Sequence, residues 1–124
     1  MRVLAVDDSP TMREMVRAAL EKAGIDVVLA VHGEDGLERL ENETRAKNKF
    51  DVVLTDLNMP IMDGLALTRS IRARPHHAGI PILFLTTEAG PELRTEARAA
   101  GATGWIVKPF DPDSLVRTLR RIAA

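Results

Sequence analysis

Neither cysteine nor tyrosine occurs among the 124 residues, and the aromatic complement is one tryptophan and three phenylalanines. Without cysteine there is no disulfide, no thiolate nucleophile and no thiolate metal site, which suits a reducing compartment. Phe50, Phe84, Trp105 and Phe110 are too few for a base-stacking platform or a flavin sandwich. Charge of one sign is lacking too: 17 basic residues stand against 18 acidic ones, a net charge of -1. The concentrated basic face of a nucleic-acid binder is therefore not expected. Every apolar run is too short to span a bilayer, and no secretory leader is visible. These absences predict a soluble cytoplasmic protein with no membrane or nucleic-acid partner. At 13.6 kDa the chain has the size of one compact domain, expected as a monomer.

What is present is a set of five near-continuous apolar runs: Val3-Leu4-Ala5-Val6, Val27-Val28-Leu29-Ala30, Val52-Val53-Leu54-Thr55, Ile82-Leu83-Phe84-Leu85 and Gly104-Trp105-Ile106-Val107. Runs without polar alternation read as strands buried on both faces. Segments of helical period separate them. Ser9 is a good N-cap before Pro10, Met12, Met15, Val16, Ala19, Leu20 and Ala23 form an apolar stripe, and Gly24 suits the stop. A second helix is expected from about Glu34 to Lys47 on Leu37 and Leu40, and a third from Leu65 to Arg72 on Leu67 and Ile71. The stretch Pro91 to Ala100 offers only Leu93, Ala97 and Ala100 to a core, so it should be the most loosely held helix. Asp111 and Pro112 open a last helix carrying Leu115, Leu119 and Ile122. Strand and helix alternating five times predict an α/β fold, a doubly wound five-stranded parallel sheet. Right-handed crossovers bring all strand C-termini to one edge, where ligands of open sheets bind.

The runs end on chemistry at that edge. Asp7 and Asp8 follow the first and Asp56 the third, while Thr86 ends the fourth and Lys108 the fifth. Three carboxylates in one place repel unless a cation lies between them. An all-oxygen ligand set selects a hard ion, and magnesium fits best. At the mouth of the central strand, the Asp56 carboxylate is placed to attack phosphorus and form an aspartyl phosphate. Phosphoryl transfer needs positioning and charge neutralisation above all, and Lys108, one of only four lysines against 13 arginines, supplies the second. Thr86 can donate to a phosphoryl oxygen, although an isolated threonine is more often a simple strand terminus. The Lys108-Pro109 bond is a candidate for the cis form. His32, His76 and His77 show no pairing spacing and fall in expected loops, which leaves zinc and histidine catalysis without support.

The order Asp7-Asp8, Asp56, Asn58-Met59-Pro60-Ile61-Met62-Asp63-Gly64, Thr86 and Lys108-Pro109-Phe110 resembles the receiver domain of two-component response regulators over essentially the whole chain. Val6-Asp7-Asp8 and Thr11-Met12-Arg13 add a likeness to the stand-alone chemotaxis members. The resemblance implies a flavodoxin-like (βα)5 fold with strand order 2-1-3-4-5, spanning residues 1–124 with no attached effector. It implies a phosphohistidine of a partner kinase donating to Asp56, with Mg2+ (Mn2+ substituting) on Asp8, Asp56 and the Asn58 carbonyl, and on Asp7 through water. Thr86 and Lys108 then contact the phosphoryl group, and Trp105 holds the position of the switching aromatic. A tryptophan there is bulkier than the usual residue, and simple packing is the competing role for it. Asn58 and Glu88 lie two positions after Asp56 and Thr86, where receivers tune water attack, and a phosphate lifetime of seconds to minutes is expected. Gly90, Pro91 and Thr118 replace lysines that engage the flagellar switch in the enteric chemotaxis member, so the output surface departs from that pattern.

The leading reading is a phosphorylation-controlled binding switch in chemotaxis or motility, with a histidine kinase upstream and a protein target downstream, a flagellar switch or another kinase. It would be no enzyme beyond its own phosphorylation and dephosphorylation. A phosphorelay intermediate or phosphate sink keeps the chemistry and changes the role. A magnesium-dependent phosphohydrolase with an aspartyl nucleophile is a remote alternative: its acid-x-acid spacing is missing, and the chain has no room for a capping domain. A flavodoxin-like electron carrier is more remote, because two acids stand where a phosphate-cradling loop is needed.

Overall fold

The structure is a computed structural model in which residues 1–88 and 90–123 are described. Strands and helices alternate as expected: β1 Arg2–Val6, α1 Pro10–Lys22, β2 Asp26–Ala30, α2 Gly33–Arg45, β3 Val52–Thr55, α3 Gly64–Arg72, β4 Ile82–Thr86, α4 Pro91–Ala100, β5 Gly104–Val107 and α5 Pro112–Ala123. A 3-10 turn, Pro75–His77, connects α3 to β4. The sheet is wholly parallel with order β2-β1-β3-β4-β5. No helix among the described residues is long and apolar enough to cross a membrane.

Successive strand residues point to opposite faces, so each buried run feeds two cores. Val3, Ala5, Val52, Leu54, Leu83 and Leu85 pack beneath α1 and α5 with Val16, Leu20, Leu115 and Leu119. On the other face Leu4, Val6, Val53, Ile82 and Phe84 meet Leu40, Leu67, Ile71 and Ala97 from α2, α3 and α4. The helix starts are set locally. Ser9 Oγ accepts from Met12 N–H at 3.2 Å and Asp111 Oδ2 accepts from Ser114 N–H at 3.0 Å, both beside a proline at the first helical position.

Several sequence expectations are corrected. Helix α2 ends at Arg45 rather than Lys47, and its N-cap is His32, whose Nδ1 accepts from Asp35 N–H at 3.2 Å. His77 is buried, with Nε2 3.3 Å from Glu41 Oε1, rather than lying in an open loop. Met15 is 45% exposed, on the solvent border of the α1 stripe. The edge strands β2 and β5 are not buried on both faces: Val27, Val28 and Leu29 are only partly buried, and Val107 is 41% exposed.

Candidate functional site

Register delivers the site. Val6 lies opposite both Ala30 and Thr55, and Thr86 opposite Val107. The ladder runs one residue past the strands, because Asp56 N–H donates to Val6 O at 2.8 Å and Lys108 N–H to Thr86 O at 2.7 Å. Asp7, Asp56, Thr86 and Lys108 are thereby fixed by sheet backbone. Asp8 stands beside Asp7 at the solvent border. Each acid of the trio Asp7, Asp8 and Asp56 has a carboxylate oxygen within 4.8 Å of the others.

Asp7 is buried and fully engaged: Oδ1 accepts from Ser9 N–H at 2.9 Å and Oδ2 from the Lys108 ammonium at 2.9 Å. The same ammonium lies 3.3 Å from Asp56 Oδ1, which also accepts from Leu57 N–H at 2.8 Å. Burial first, and then the neighbouring Asp7 charge, push the Asp56 pKa up, while Lys108 and the Leu57 N–H pull it down; the net direction is upward. One ammonium among three carboxylates leaves negative charge uncompensated, and the donors are all oxygen. That chemistry fits a hard divalent cation. The Lys108-Pro109 bond is cis.

A second chain of contacts leads away from the acids. Glu88 N–H donates to Thr86 Oγ1 at 3.2 Å, Asn58 Nδ2 donates to Glu88 Oε1 at 2.7 Å, and Trp105 Nε1 donates to Glu88 O at 3.1 Å. Glu88 thus joins three residues singled out from the sequence. Trp105 is partly buried and stacks edge-on against Phe84, ring centres 5.7 Å apart.

The loop after β3 holds a feature sequence reasoning missed. Ile61 has φ +69 and is 73% exposed, in a three-residue turn closed by Met62 N–H donating to Pro60 O at 2.7 Å. A β-branched residue is strained in this region, and no residue preference points to it. Gly64 follows, and a Cβ there would sit 2.3 Å from Asp56 O, so only glycine lets α3 begin this close to the acid.

Behind Asp7 and Asp56 the sheet edge is closely packed, and the gap of about 10 Å3 there is lined by Arg13, Val16, Leu54 and Leu85 among others. A hollow of about 280 Å3 lies elsewhere, between α4 and β5, lined by Arg94, Arg98, Thr103 and Trp105 among others. An open parallel sheet with an acid cluster and one lysine at its carboxyl edge defines a class of α/β domain suited to hold a cation beside an anionic group. Comparison gives the family. The response regulator receiver domain profile matches residues 3–120, and the chain belongs to that family. It is 41% identical over 120 residues to the chemotaxis protein CheY1 of Helicobacter pylori, covering 96% of this chain and 94% of that protein. The structure of Vibrio cholerae chemotaxis protein CheY4 superposes with a TM-score of 0.89 at 44% identity, covering 98% of this chain and 97% of that one. A receiver domain of the Pseudomonas aeruginosa sensor histidine kinase PA1611 has a magnesium ion coordinated in its active site cleft (TM-score 0.84, 30% identity, coverage 98% and 96%). This is a CheY-like receiver domain, of a family of signalling proteins.

Proposed function

We propose that Asp56 accepts a phosphoryl group from the phosphohistidine of a kinase, and that the modified domain changes its affinity for a protein target in chemotaxis or motility, acting in the cytoplasm. The observation that carries this reading is the Lys108 ammonium bridging Asp7 and Asp56 at 2.9 and 3.3 Å, beside the acid trio of Asp7, Asp8 and Asp56. An Asp56 Oδ atom forms the new bond to phosphorus as the phosphorus–nitrogen bond breaks, and the departing imidazole keeps that electron pair and takes up a proton. Lys108 is placed to neutralise charge on the group once it is attached. Asp8, Asp56 and the Asn58 carbonyl are the residues to hold Mg2+, or Mn2+ in its place, with Asp7 acting through water; the ion supplies charge neutralisation for the incoming phosphoryl oxygens.

Thr86 Oγ1 accepts from Glu88 N–H, and turning it toward a phosphoryl oxygen on Asp56 would remove that acceptor. Because the Trp105 indole and the Asn58 amide both bond to Glu88, that one rotation reaches the α4–β5 face. The phosphoryl group shifts the balance only by the difference in its contacts with the two arrangements. Asn58 and Glu88, bonded to each other at the exposed rim of the site, would tune the attack of water on the acyl phosphate, and a phosphate lasting seconds to minutes is expected. The test is acetyl phosphate with Mg2+ followed by intact mass. A gain of about 80 Da, one phosphoryl group, is expected for the wild-type chain and none for Asp56→Asn; a gain that survives the substitution overturns the assignment.

A further inference from the structure

Helix α4 is held differently at its two ends. Across 91–96 every residue but Leu93 is exposed, and Gly90 offers no side chain to cap the first turn. The other end buries Ala97 and Ala100 and closes on Gly101 at φ +110, whose N–H donates to Ala97 O and Arg98 O, while Ala102 N–H donates to Ala97 O. Thr103 then ties the chain to β4, its N–H donating to Ile82 O at 2.7 Å and its Oγ1 accepting from Ile82 N–H at 3.0 Å.

Arg72, the last residue of α3, reaches onto that closed end. Its Nε and Nη2 donate to Gly101 O at 3.0 and 2.8 Å, and its Nη1 donates to Ile80 O at 2.6 Å and Ala78 O at 3.0 Å. Its recorded partners are all carbonyls, and it takes part in no salt bridge among the described residues. A planar fork with fixed donors suits this work, and Gly101 O lies at the negative end of the α4 dipole. A Cβ at Gly101 would come 2.8 Å from Arg72 Cγ, so the glycine serves the contact as well as the turn.

We propose that Arg72 is the fixed pivot of α4, a positioning residue that pins the helix C-terminus in both arrangements, so that rotation at Thr86 and Glu88 moves only the N-terminal half. This rests on the switch reading above. With ten residues the helix is about 15 Å long, and a turn of about 10° about Gly101 displaces its first residues by roughly 2–3 Å while the last stay in place.

Hydrogen exchange read by mass spectrometry, with and without Mg2+ and beryllofluoride as a phosphoryl mimic, tests it. In the wild-type chain the mimic is expected to change protection across 90–96 and to leave 98–103 unaltered; an equal response at both ends overturns the pivot. Arg72→Met, with no mimic present, is expected to speed exchange at 98–103 by about tenfold and then to let the mimic change both halves. Arg72→Lys, which keeps the charge but loses the fork, is expected to fall between while retaining the wild-type circular dichroism. If the mimic alters nothing near Asp56, that failure belongs to the switch reading; unchanged basal exchange at 98–103 in both variants overturns the pin itself.

Discussion

Helices α4 and α5 both begin at a proline and flank the same edge strand, β5, yet they are anchored in opposite ways. Helix α5 takes a side-chain cap from Asp111 and sinks Leu115, Val116 and Leu119 into the sheet. Helix α4 has glycine at its cap position and buries two alanines, both in its second half. A buried leucine removes far more apolar area from water than an alanine does, so α5 belongs to the frame and α4 to the part that opens at low cost. The chain of contacts from Thr86 through Glu88 ends at Trp105 on β5, across a hollow from the weaker helix. Of the two helices, α4 is the one expected to move in response to a signal at the sheet edge.

The largest expected effect is on stability. Leu119→Ala should cost about 2–5 kcal/mol in denaturant unfolding, as fully buried leucines do, whereas Leu93→Ala on α4 should cost less than about 1 kcal/mol because that side chain is only partly buried. Equal costs would break the contrast between the helices.

A smaller effect separates signal from chemistry. Thr86→Ala removes the acceptor of Glu88 N–H but leaves Asp7, Asp56 and Lys108 in place. Phosphoryl uptake from acetyl phosphate is expected to continue, with the accompanying change in Trp105 fluorescence reduced several-fold. Full retention of the fluorescence change would mean that α4 receives its signal by another route.

The smallest effect is a pH dependence at the sheet edge. Asp56 ionises at higher pH in the folded chain than the 3.8 of an unperturbed aspartate, because burial and Asp7 oppose its charge. The folded state therefore keeps that proton longer than the unfolded state. The resulting penalty is absent below 3.8 and complete once pH passes the raised folded value. Without divalent cations, stability should fall slightly across that window, and Asp56→Asn should flatten the profile. Mg2+ competes with the same proton, so its affinity should rise with pH over the same range. A metal-free profile that Asp56→Asn leaves unchanged would show that the raised acid does not contribute.

Much of this was legible because it is local or repeated. Five apolar runs set the strands, and Ser9-Pro10 and Asp111-Pro112 marked two helix starts through caps spanning three residues. The acid trio was legible because parallel topology sends every strand end to one edge. What stayed hidden depends on distance or on exception. Arg72 meets Gly101 across 29 positions, with no pattern to join them. The apolar composition of β5 resembles that of the central strands, and only its place at the sheet edge exposes Val107. His32 caps α2 although histidine is not a preferred cap, and Ile61 occupies a conformation its own side chain disfavours.

The contact between Gly64 and the carbonyl of Asp56 has a consequence for timing. With the first turn of α3 wedged against its backbone, and its N–H tied to β1, Asp56, the proposed phosphoacceptor, is held in place by backbone on two sides. The groups proposed to respond are terminal ones, a hydroxyl, an ammonium and an indole, whose rotations are fast beside the making or breaking of an acyl phosphate. On the proposed reading, the memory of such a device would be held in a covalent bond, and its duration would be a matter of hydrolysis rather than of mechanics.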